Sequence, residues 1–177
     1  RTEAPVSPAP GDPTARDRSA DAAAALFAAF HAQWDRVGLV AAGPTPCWLR
    51  PEATTAARVR EMLTTHPAFR HEPPTESCYL PDWLDAFRAR FRRPTHVVFL
   101  SPLCDDGAVR LVRRLELHGH PVAVVSPDPT TAATLGGRIV RLERAIRVLR
   151  LRNAGVRVVD WGNGESLSTA LARGARR

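Results

Sequence analysis

Four segments of the chain are almost continuously apolar over six or seven residues, at positions 36–42, 96–101, 121–126 and 156–161. Apolar runs that do not alternate with polar residues indicate strands covered on both faces, as in the parallel sheets of α/β proteins. A fifth segment, residues 46–50, follows the first across a Gly-Pro-Thr link and is predicted to be an antiparallel edge strand. The pattern therefore predicts a mostly parallel sheet with one antiparallel edge strand.

Segments with helical spacing of apolar residues separate these strands. The first predicted helix follows a capping residue, Ser19 or Asp21. Its apolar residues share one face: Leu26, Phe27, Phe30 and Trp34. Further helices are predicted over residues 54–66, 80–91 and 107–118, and the last ends at Gly119, which suits a left-handed C-cap. The alternation of strands and helices predicts a doubly wound, Rossmann-like three-layer α/β fold.

The longest predicted helix spans residues 135–152. Its apolar residues fall within a stripe roughly 80° wide. This stripe predicts a face buried against the sheet, made of Leu135, Ile139, Leu142, Ile146 and Leu149. Arginines recur at every third position and spread over the remaining arc, at positions 138, 141, 144, 147 and 150. Because they form no single stripe, we expect them to be solvated rather than to line a nucleic-acid groove.

The first 18 residues carry prolines at positions 5, 8, 10 and 13. Proline neither donates to a sheet ladder nor fits a helix interior. Residues 1–18 are therefore predicted to be a disordered tail, and residues 19–177 to form one domain. A chain of this size buries roughly 70% of its unfolded surface, enough for a core without metal or disulfide staples.

The net charge of +7 is the difference between 25 basic residues, all of them Arg, and 18 acidic residues. Such a composition, rich also in Ala and Pro, is typical of GC-rich coding, so nucleic acid is not predicted as a partner. No apolar run reaches the ~18 residues of a membrane span. Three cysteines, Cys47, Cys78 and Cys104, show no CxxC spacing. Their pattern indicates neither a disulfide framework nor a zinc knuckle and favours the reducing cytoplasm.

Two adjacent carboxylates, Asp105 and Asp106, follow the strand at residues 96–101. Ligands collect at the carboxyl ends of parallel strands. These acids therefore suit either a metal or phosphoryl site or the N-cap of the next helix. A magnesium site needs close to six oxygen ligands, yet this strand ends in Ser101 and the first strand ends in Gly43. Capping is therefore the favoured interpretation.

Asp128 and Asp160 also lie toward the carboxyl ends of predicted strands. Each suits a turn and equally suits a ligand crevice, and periodicity does not choose between these interpretations. The glycine spacing fits neither a Walker loop nor a dinucleotide fingerprint, and no nucleophile elbow is present. The three cysteines and His96 have the chemistry of zinc ligands, but cysteines are commonly buried without a metal.

Three stretches carry a recognisable pattern: WDRVGLVAAGPTPCWLRP, THVVFLSPLCDDGAVRLVRRLELHGHPVAVVSPDP and RLRNAGVRVVDWGNGESLSTAL. Through them the chain, from about residue 20 to its end, resembles the conserved domain of the domain-of-unknown-function-58 family, which has a von Willebrand factor A-like fold. The parts DRVGLVAAG and AGVRVVDW are the most specific. The resemblance implies a protein-interaction adaptor rather than an enzyme, working beside a MoxR-type AAA ATPase. It also implies a cytoplasmic domain whose full-length protein carries upstream membrane helices.

The resemblance bears on metal binding as well. Metal-binding domains of this fold use a DxSxS motif, a Thr in a later loop and an Asp after the following strand. This chain has no DxSxS. The Thr position falls ambiguously on Thr75 or Ser77, and the Asp position falls on Ser101 or Pro102. The resemblance therefore implies a degenerate metal site and no cofactor.

The resemblance further implies a fragment from which the first central strand is missing. The strands at residues 36–42 and 96–101 would then present facing edges, and we expect them either to pair directly in parallel or to leave the fragment unstable. The alternative function from the residues alone is a small α/β enzyme, or a nucleotide- or Mg²⁺-binding domain. Such a domain would use the strand-end acids Asp105, Asp106, Asp128 and Asp160.

Overall fold

The computed structural model describes residues 13–33, 36–41, 47–51, 54–65, 94–130 and 135–175. Five helices and five strands lie in this part of the chain, in the order α1 (Ala15–His31), β1 (Leu39–Ala41), β2 (Cys47–Leu49), α2 (Ala56–Thr65), β3 (Val97–Leu100), α3 (Asp106–Leu117), β4 (Val122–Pro127), α4 (Leu135–Asn153), β5 (Arg157–Trp161) and α5 (Leu167–Gly174). No described helix combines the length and apolarity needed to cross a bilayer. The chain divides into a smaller unit, Ala20–Ala86, and a larger unit made of Arg1–Ser19 and Phe87–Arg177.

The smaller unit contains an antiparallel strand pair. Strand β1 pairs with β2 so that Val40 lies opposite Trp48. The predicted antiparallel strand at residues 46–50 is therefore confirmed. Its helices bury apolar side chains at helical spacing, namely Ala22, Ala23 and Phe27 from α1 and Val59 and Met62 from α2.

The larger unit contains a three-stranded parallel sheet in the order β3-β4-β5. Val98 lies opposite Ala123, and Val124 lies opposite Val158. The central strand β4 is the most buried, as its uninterrupted apolar sequence predicts. Helices α3 and α4 are the crossovers between these strands, and they contact each other. The predicted parallel α/β arrangement is confirmed for this unit.

Helices cover both faces of the parallel sheet. Asp160 on β5 bonds to Arg144 of α4, so α4 lies on the Asp160 face. Val159 points the opposite way, because side chains alternate along a strand. Helix α5 approaches this second face closely: a Cβ atom on Gly174 would lie 2.8 Å from Cγ2 of Val159. Only glycine allows that contact, so helices lie on both faces of this parallel sheet.

Local capping residues set the helix ends. Asp105 is the N-cap of α3, and its carboxylate accepts from the backbone N–H of Ala108 at 3.0 Å. Gly119 follows α3 with φ of +80°, which confirms the predicted left-handed cap. The short helix α5 was not predicted, although Ser166 caps it by accepting from the Thr169 N–H.

The predicted start of the first helix is wrong by four residues. Helix α1 begins at Ala15 rather than at Ser19, so part of the predicted tail over residues 1–18 is helical. Thr14 and Asp17 form a reciprocal capping box: the Thr14 N–H donates to Asp17 Oδ2 at 2.8 Å and the Asp17 N–H donates to Thr14 Oγ1 at 3.1 Å. These bonds satisfy two backbone donors and stabilise the extra turn.

The predicted single sheet is divided in two among the described residues, because β1 pairs with β2 and β3 pairs with β4. Direct pairing was one of two outcomes expected for the strands at residues 36–42 and 96–101, and it is not seen among their described residues. Strand β1 has only three residues. So short a strand offers few ladder hydrogen bonds to offset the entropy of closing the long connection to β3.

The predicted orientation of the longest helix is also wrong. Helix α4 buries Gly137, Arg144, Val148 and Leu151. The stripe that was expected to face the core is 41–67% exposed: Leu135, Ile139, Leu142, Ile146 and Leu149. At 100° per residue the two sets lie about 180° apart on the helix. The helix is rotated by half a turn relative to the prediction, because Arg144 has its hydrogen-bond partners at the sheet.

Two arginines cover the outer edge of β5. Trp161 O accepts from the Asp128 N–H on the β4 side, so the carbonyls of Val158 and Asp160 point outward. Arg152 Nη2 donates to Val158 O at 3.1 Å and Arg173 Nη2 donates to Asp160 O at 2.6 Å. Satisfied carbonyls with charged side chains over them discourage a second chain from adding a strand.

We therefore expect the double variant Arg152→Ala/Arg173→Ala to aggregate faster than the parent, because it uncovers the β5 edge. Light scattering at fixed protein concentration and temperature measures this rate. The matched control is Arg114→Ala/Arg141→Ala, which removes the same charge from exposed helix positions. Equal aggregation rates for the two double variants would contradict the edge-protection role.

Candidate functional site

The carboxyl ends of the three parallel strands meet at one border of the larger unit. We call residues 101–105, 126–130 and 160–163 the rim. In α/β proteins this border is the usual place for a ligand. The rim includes four of the residues singled out from the sequence: Ser101, Asp105, Asp128 and Asp160.

Arg144 reaches the rim from the middle of α4. Its side chain is 4% exposed. Its Nε donates to Pro102 O at 3.0 Å, and its Nη2 lies within 3.0 Å of Ser126 O, 2.8 Å of Ser126 Oγ and 2.7 Å of Asp160 Oδ1. Its Nη1 lies 3.9 Å from Asp128 Oδ2. One guanidinium therefore contacts the carboxyl ends of all three strands, through Pro102 after β3, Ser126 of β4 and Asp160 of β5.

Arg18 reaches the rim from the first turns of α1. Its Nη1 donates to Asn163 Oδ1 at 2.7 Å and to Asp128 O at 3.3 Å. Its Nη2 donates to the carbonyls of Trp161 and Gly162 at 3.1 and 2.7 Å, and the guanidinium stacks 4.2 Å above the Trp161 ring. Burial lowers the pKa of Arg18, and the Asp128 carboxylate acts in the opposite direction.

The two central carboxylates of the rim are already bound. Asp128 Oδ1 accepts from the backbone N–H and the hydroxyl of Thr130 at 2.9 and 2.7 Å, which forms an Asx turn. Asp160 Oδ1 accepts from Arg144. The charges of Arg18 and Arg144 offset those of Asp128 and Asp160, and the third rim carboxylate, Asp105, is used as the N-cap of α3. We therefore expect the rim to attract a further ion only weakly.

Asp105 and Asp106 have separate structural roles. Asp105 caps α3, which confirms the favoured interpretation. Asp106 lies in the first turn of α3, where its Oδ1 is 2.9 Å from Arg147 Nε and 3.9 Å from Arg150 Nη1. The hydrogen bond from Arg147 lowers the pKa of the Asp106 carboxyl. The pair does not form a common cation site.

The positions that the resemblance assigns to a degenerate metal site lie in different parts of the chain. Ser101 Oγ accepts from the Leu103 N–H at 3.2 Å, where it stabilises the loop after β3. Leu103 is fully buried with φ of +55°, a left-handed backbone that a branched residue adopts at a cost. Thr75 and Ser77 lie outside the described residues. Within the described ranges, no cluster of three or more His, Cys, Asp or Glu residues could hold a metal ion.

The cysteine closest to the rim has no sign of nucleophilic activation. Cys104 Sγ lies 3.9 Å from Pro102 O. Burial raises the pKa of the Cys104 thiol, so the thiol stays protonated at neutral pH. Cys47 belongs to β2 in the smaller unit, and Cys78 lies outside the described residues. Nothing in these contacts supplies a thiolate for covalent catalysis.

The two most important rim residues were missed from the sequence. Arg144 was expected to be solvated, although Val140, Val148 and Leu151 lie at helical spacing on its own face. That second apolar set was the available signal. Arg18 fell within the predicted disordered tail, and the Thr14–Asp17 capping box was the only sign that a helix extends to it.

Comparisons of this chain with models of known families, with curated proteins and with solved structures gave no significant match.

We expect Arg144→Ala to lower the free energy of unfolding by about 3 kcal/mol, because it removes the buried counter-charge that Asp128 and Asp160 share. Urea denaturation measures the change. Arg141→Ala, an exposed arginine one turn earlier on the same helix, is the control and should stay within about 0.5 kcal/mol of the parent. Arg144→Lys should fall between them, since lysine keeps the charge but loses the planar fork. A loss below about 1 kcal/mol in Arg144→Ala would contradict the central role of this guanidinium.

The pair formed by Asp106 and Arg147 predicts a specific pH dependence. Because the folded state lowers the pKa of Asp106, the pair stabilises the fold above the ordinary aspartate pKa of 3.8 and loses its effect as the pH falls through the folded value. Asp106→Asn should therefore be less stable than the parent by about 0.5 kcal/mol at pH 7 and indistinguishable from it near pH ~2. In an Arg147→Met background the substitution should cost less at pH 7 than in the parent, because only the weaker interactions of Asp106 with Arg150 and with the N-terminus of α3 remain. A difference that persists at the lower pH would contradict this assignment.

Proposed function

We propose that this chain is a non-enzymatic protein-interaction module with a von Willebrand factor A-like fold and a degenerate metal site. It acts in the cytoplasm as an adaptor beside a MoxR-type AAA ATPase. The observation that carries the non-enzymatic part of the proposal is Arg144. Its guanidinium occupies the end of the parallel sheet where a cation or a substrate would otherwise bind.

The electrostatics of the rim support this proposal. A hard cation such as Mg²⁺ requires carboxylate oxygens with free lone pairs in a near-octahedral arrangement. Asp160 is ion-paired with Arg144, and Asp128 is held in its Asx turn. Binding a divalent cation there would place it against a fixed positive charge. The alternative of a Mg²⁺-dependent or nucleotide-binding enzyme receives no such support.

The strand arrangement supports the fold that the resemblance implies. In the larger unit, β3, β4 and β5 are parallel and adjacent in chain order. In the smaller unit, β1 and β2 are antiparallel. A von Willebrand factor A-like sheet also contains adjacent parallel strands and one antiparallel strand. The family that the sequence resembles is expected to act through protein partners, which is why we propose the same class of function for this chain.

Isothermal titration calorimetry tests the non-enzymatic part of the proposal. We expect no binding heat when the chain is titrated with Mg²⁺, with Mn²⁺, or with ADP and ATP in the presence of Mg²⁺, because the rim offers no free ligand set. Micromolar binding of any of these by the parent chain would contradict the proposal. The Arg144→Lys variant is the control, since it keeps the positive charge and should also show no binding.

A second titration tests the partner. A purified MoxR-type AAA ATPase from the same genome should bind the chain in an isothermal titration. The titrations with Mg²⁺ and with nucleotides are the references. Binding of the ATPase without binding of free Mg²⁺ would support an adaptor. Failure of the ATPase to bind at the concentrations where the chain is folded would remove this partner from the proposal.

A further inference from the structure

Helix α4 presents an unusual outer face. The stripe of Leu135, Ile139, Leu142, Ile146 and Leu149 is 41–67% exposed, while the opposite face of the same helix is packed on the sheet. Contiguous apolar surface of this kind on a folded domain usually marks an interaction site. We propose that the stripe is a dimerisation surface, on which the α4 helices of two copies of this chain pack in parallel as a short coiled coil.

The spacing of the stripe is that of a coiled coil. Its residues are separated by four, three, four and three positions. This is the heptad repeat, in which apolar residues occupy positions a and d and face a partner helix. A helix that only packs on its own sheet needs no such repeat on its outer face. The register places the isoleucines at position a and the leucines at position d.

The residue types favour two parallel helices. Ile at a with Leu at d is the combination that favours parallel two-stranded coiled coils. Ile139 and Ile146 are the a residues. The partner with the best-matched surface is therefore a second copy of the same helix.

The flanking charges favour the parallel orientation. In a parallel pair, a g residue faces the e residue five positions later on the other helix, which sets Arg138 against Glu143 of the second copy, twice per dimer. Arg150 at e then faces the uncharged Ala145. In an antiparallel pair, e faces e and g faces g, so Glu143 would meet Glu143 and Arg138 would meet Arg152. Opposite charges meet only in the parallel arrangement.

The packing of α4 on its own sheet makes this surface available. Arg144, at position f, points away from the stripe and is fixed by its bonds to Pro102, Ser126 and Asp160. Val148 and Leu151 are buried on the same side. The helix therefore cannot rotate its stripe inward without breaking these bonds. The a and d positions remain directed outward.

The size of the surface sets the expected affinity. Complete burial of a Leu or Ile side chain removes on the order of 100 Å² from water. Ten such side chains, each about half exposed, would bury on the order of 500 Å² in a dimer, with more from the flanking Arg138 and Arg150 stems. Stable interfaces bury roughly 1,200–2,000 Å². The dimer should therefore be weak and reversible, because its area is below that of stable interfaces.

Sedimentation equilibrium of the full chain tests this inference between about 1 and about 300 µM, a range that covers weak association. We expect a reversible monomer–dimer equilibrium. Leu142→Glu, which places a charge at the central d position, should weaken it at least about tenfold. The matched control is Leu117→Glu on α3, because Leu117 is 75% exposed but lies outside the stripe. It should leave the equilibrium unchanged, and circular dichroism verifies that both variants are folded.

A charge-swap series tests the orientation. Arg138→Glu alone and Glu143→Arg alone each set like charges against each other at both flanks of a parallel dimer, and each should weaken association by roughly fivefold. The double variant Arg138→Glu/Glu143→Arg restores opposite charges and should recover the parent constant. Only the parallel register predicts that the double variant recovers the parent dissociation constant. A variant that had merely lost its fold would not recover it. Dimerisation with no recovery in the double variant would overturn the parallel arrangement.

Three other outcomes would overturn the inference as a whole. The first is a monomer throughout the concentration range, and the second is a dimer that Leu142→Glu does not weaken. The third is a monomer that binds anionic lipid vesicles through the stripe, which would assign the surface to a membrane instead. The inference is independent of the adaptor function, because self-association is measured without any ATPase, metal or nucleotide.

Discussion

The structure of the larger unit depends on one buried guanidinium. Arg144 donates to a carbonyl after β3, to a carbonyl and a hydroxyl on β4 and to a carboxylate on β5. A buried positive charge is costly unless it is paired and its donors are satisfied. Here the partners come from all three strands, so the same bonds that satisfy the charge also hold the strand ends together. They fix the rotation of α4 and fill the place where α/β proteins usually bind ligands.

Arg18 holds the same border from the opposite side of the sheet. It stacks on Trp161 and bonds to the backbone after β4 and β5, which joins the first turns of α1 to the rim. The planar guanidinium, with five donors in a fixed fork, can serve several acceptors at once, whereas a lysine ammonium cannot match that geometry. The guanidinium groups of Arg18 and Arg144 occupy the rim. The outer faces of the helices are therefore the better candidates for a binding surface.

Several of the many arginines in this chain have a structural role. Arg152 and Arg173 satisfy outward carbonyls of β5, and Arg147 pairs with the first turn of α3. Several of the arginines thus serve as internal hydrogen-bond donors to backbone and carboxylate oxygens. A high net charge of +7 is therefore compatible with a protein that does not recognise nucleic acid. The exposed apolar stripe of α4, which charged residues flank, is a better indicator of a binding surface than the net charge of the chain is.

The sequence by itself determined the five strands, the position of most helices, the Gly119 cap and the Asp105 cap, because each depends on local patterns of apolar residues or on a few neighbouring atoms. It did not determine how α4 is rotated. The helix has apolar residues on two faces, and the regular Leu and Ile stripe was the stronger local signal. Only the tertiary structure, through the acceptors that three separate strand ends offer to Arg144, decides which face is buried. The rim was predicted only in part: Asp128 and Asp160 were recognised as strand-end acids, but their pairing with Arg144 and the approach of Arg18 were not. These residues are far apart in the chain and meet only when the strands are adjacent.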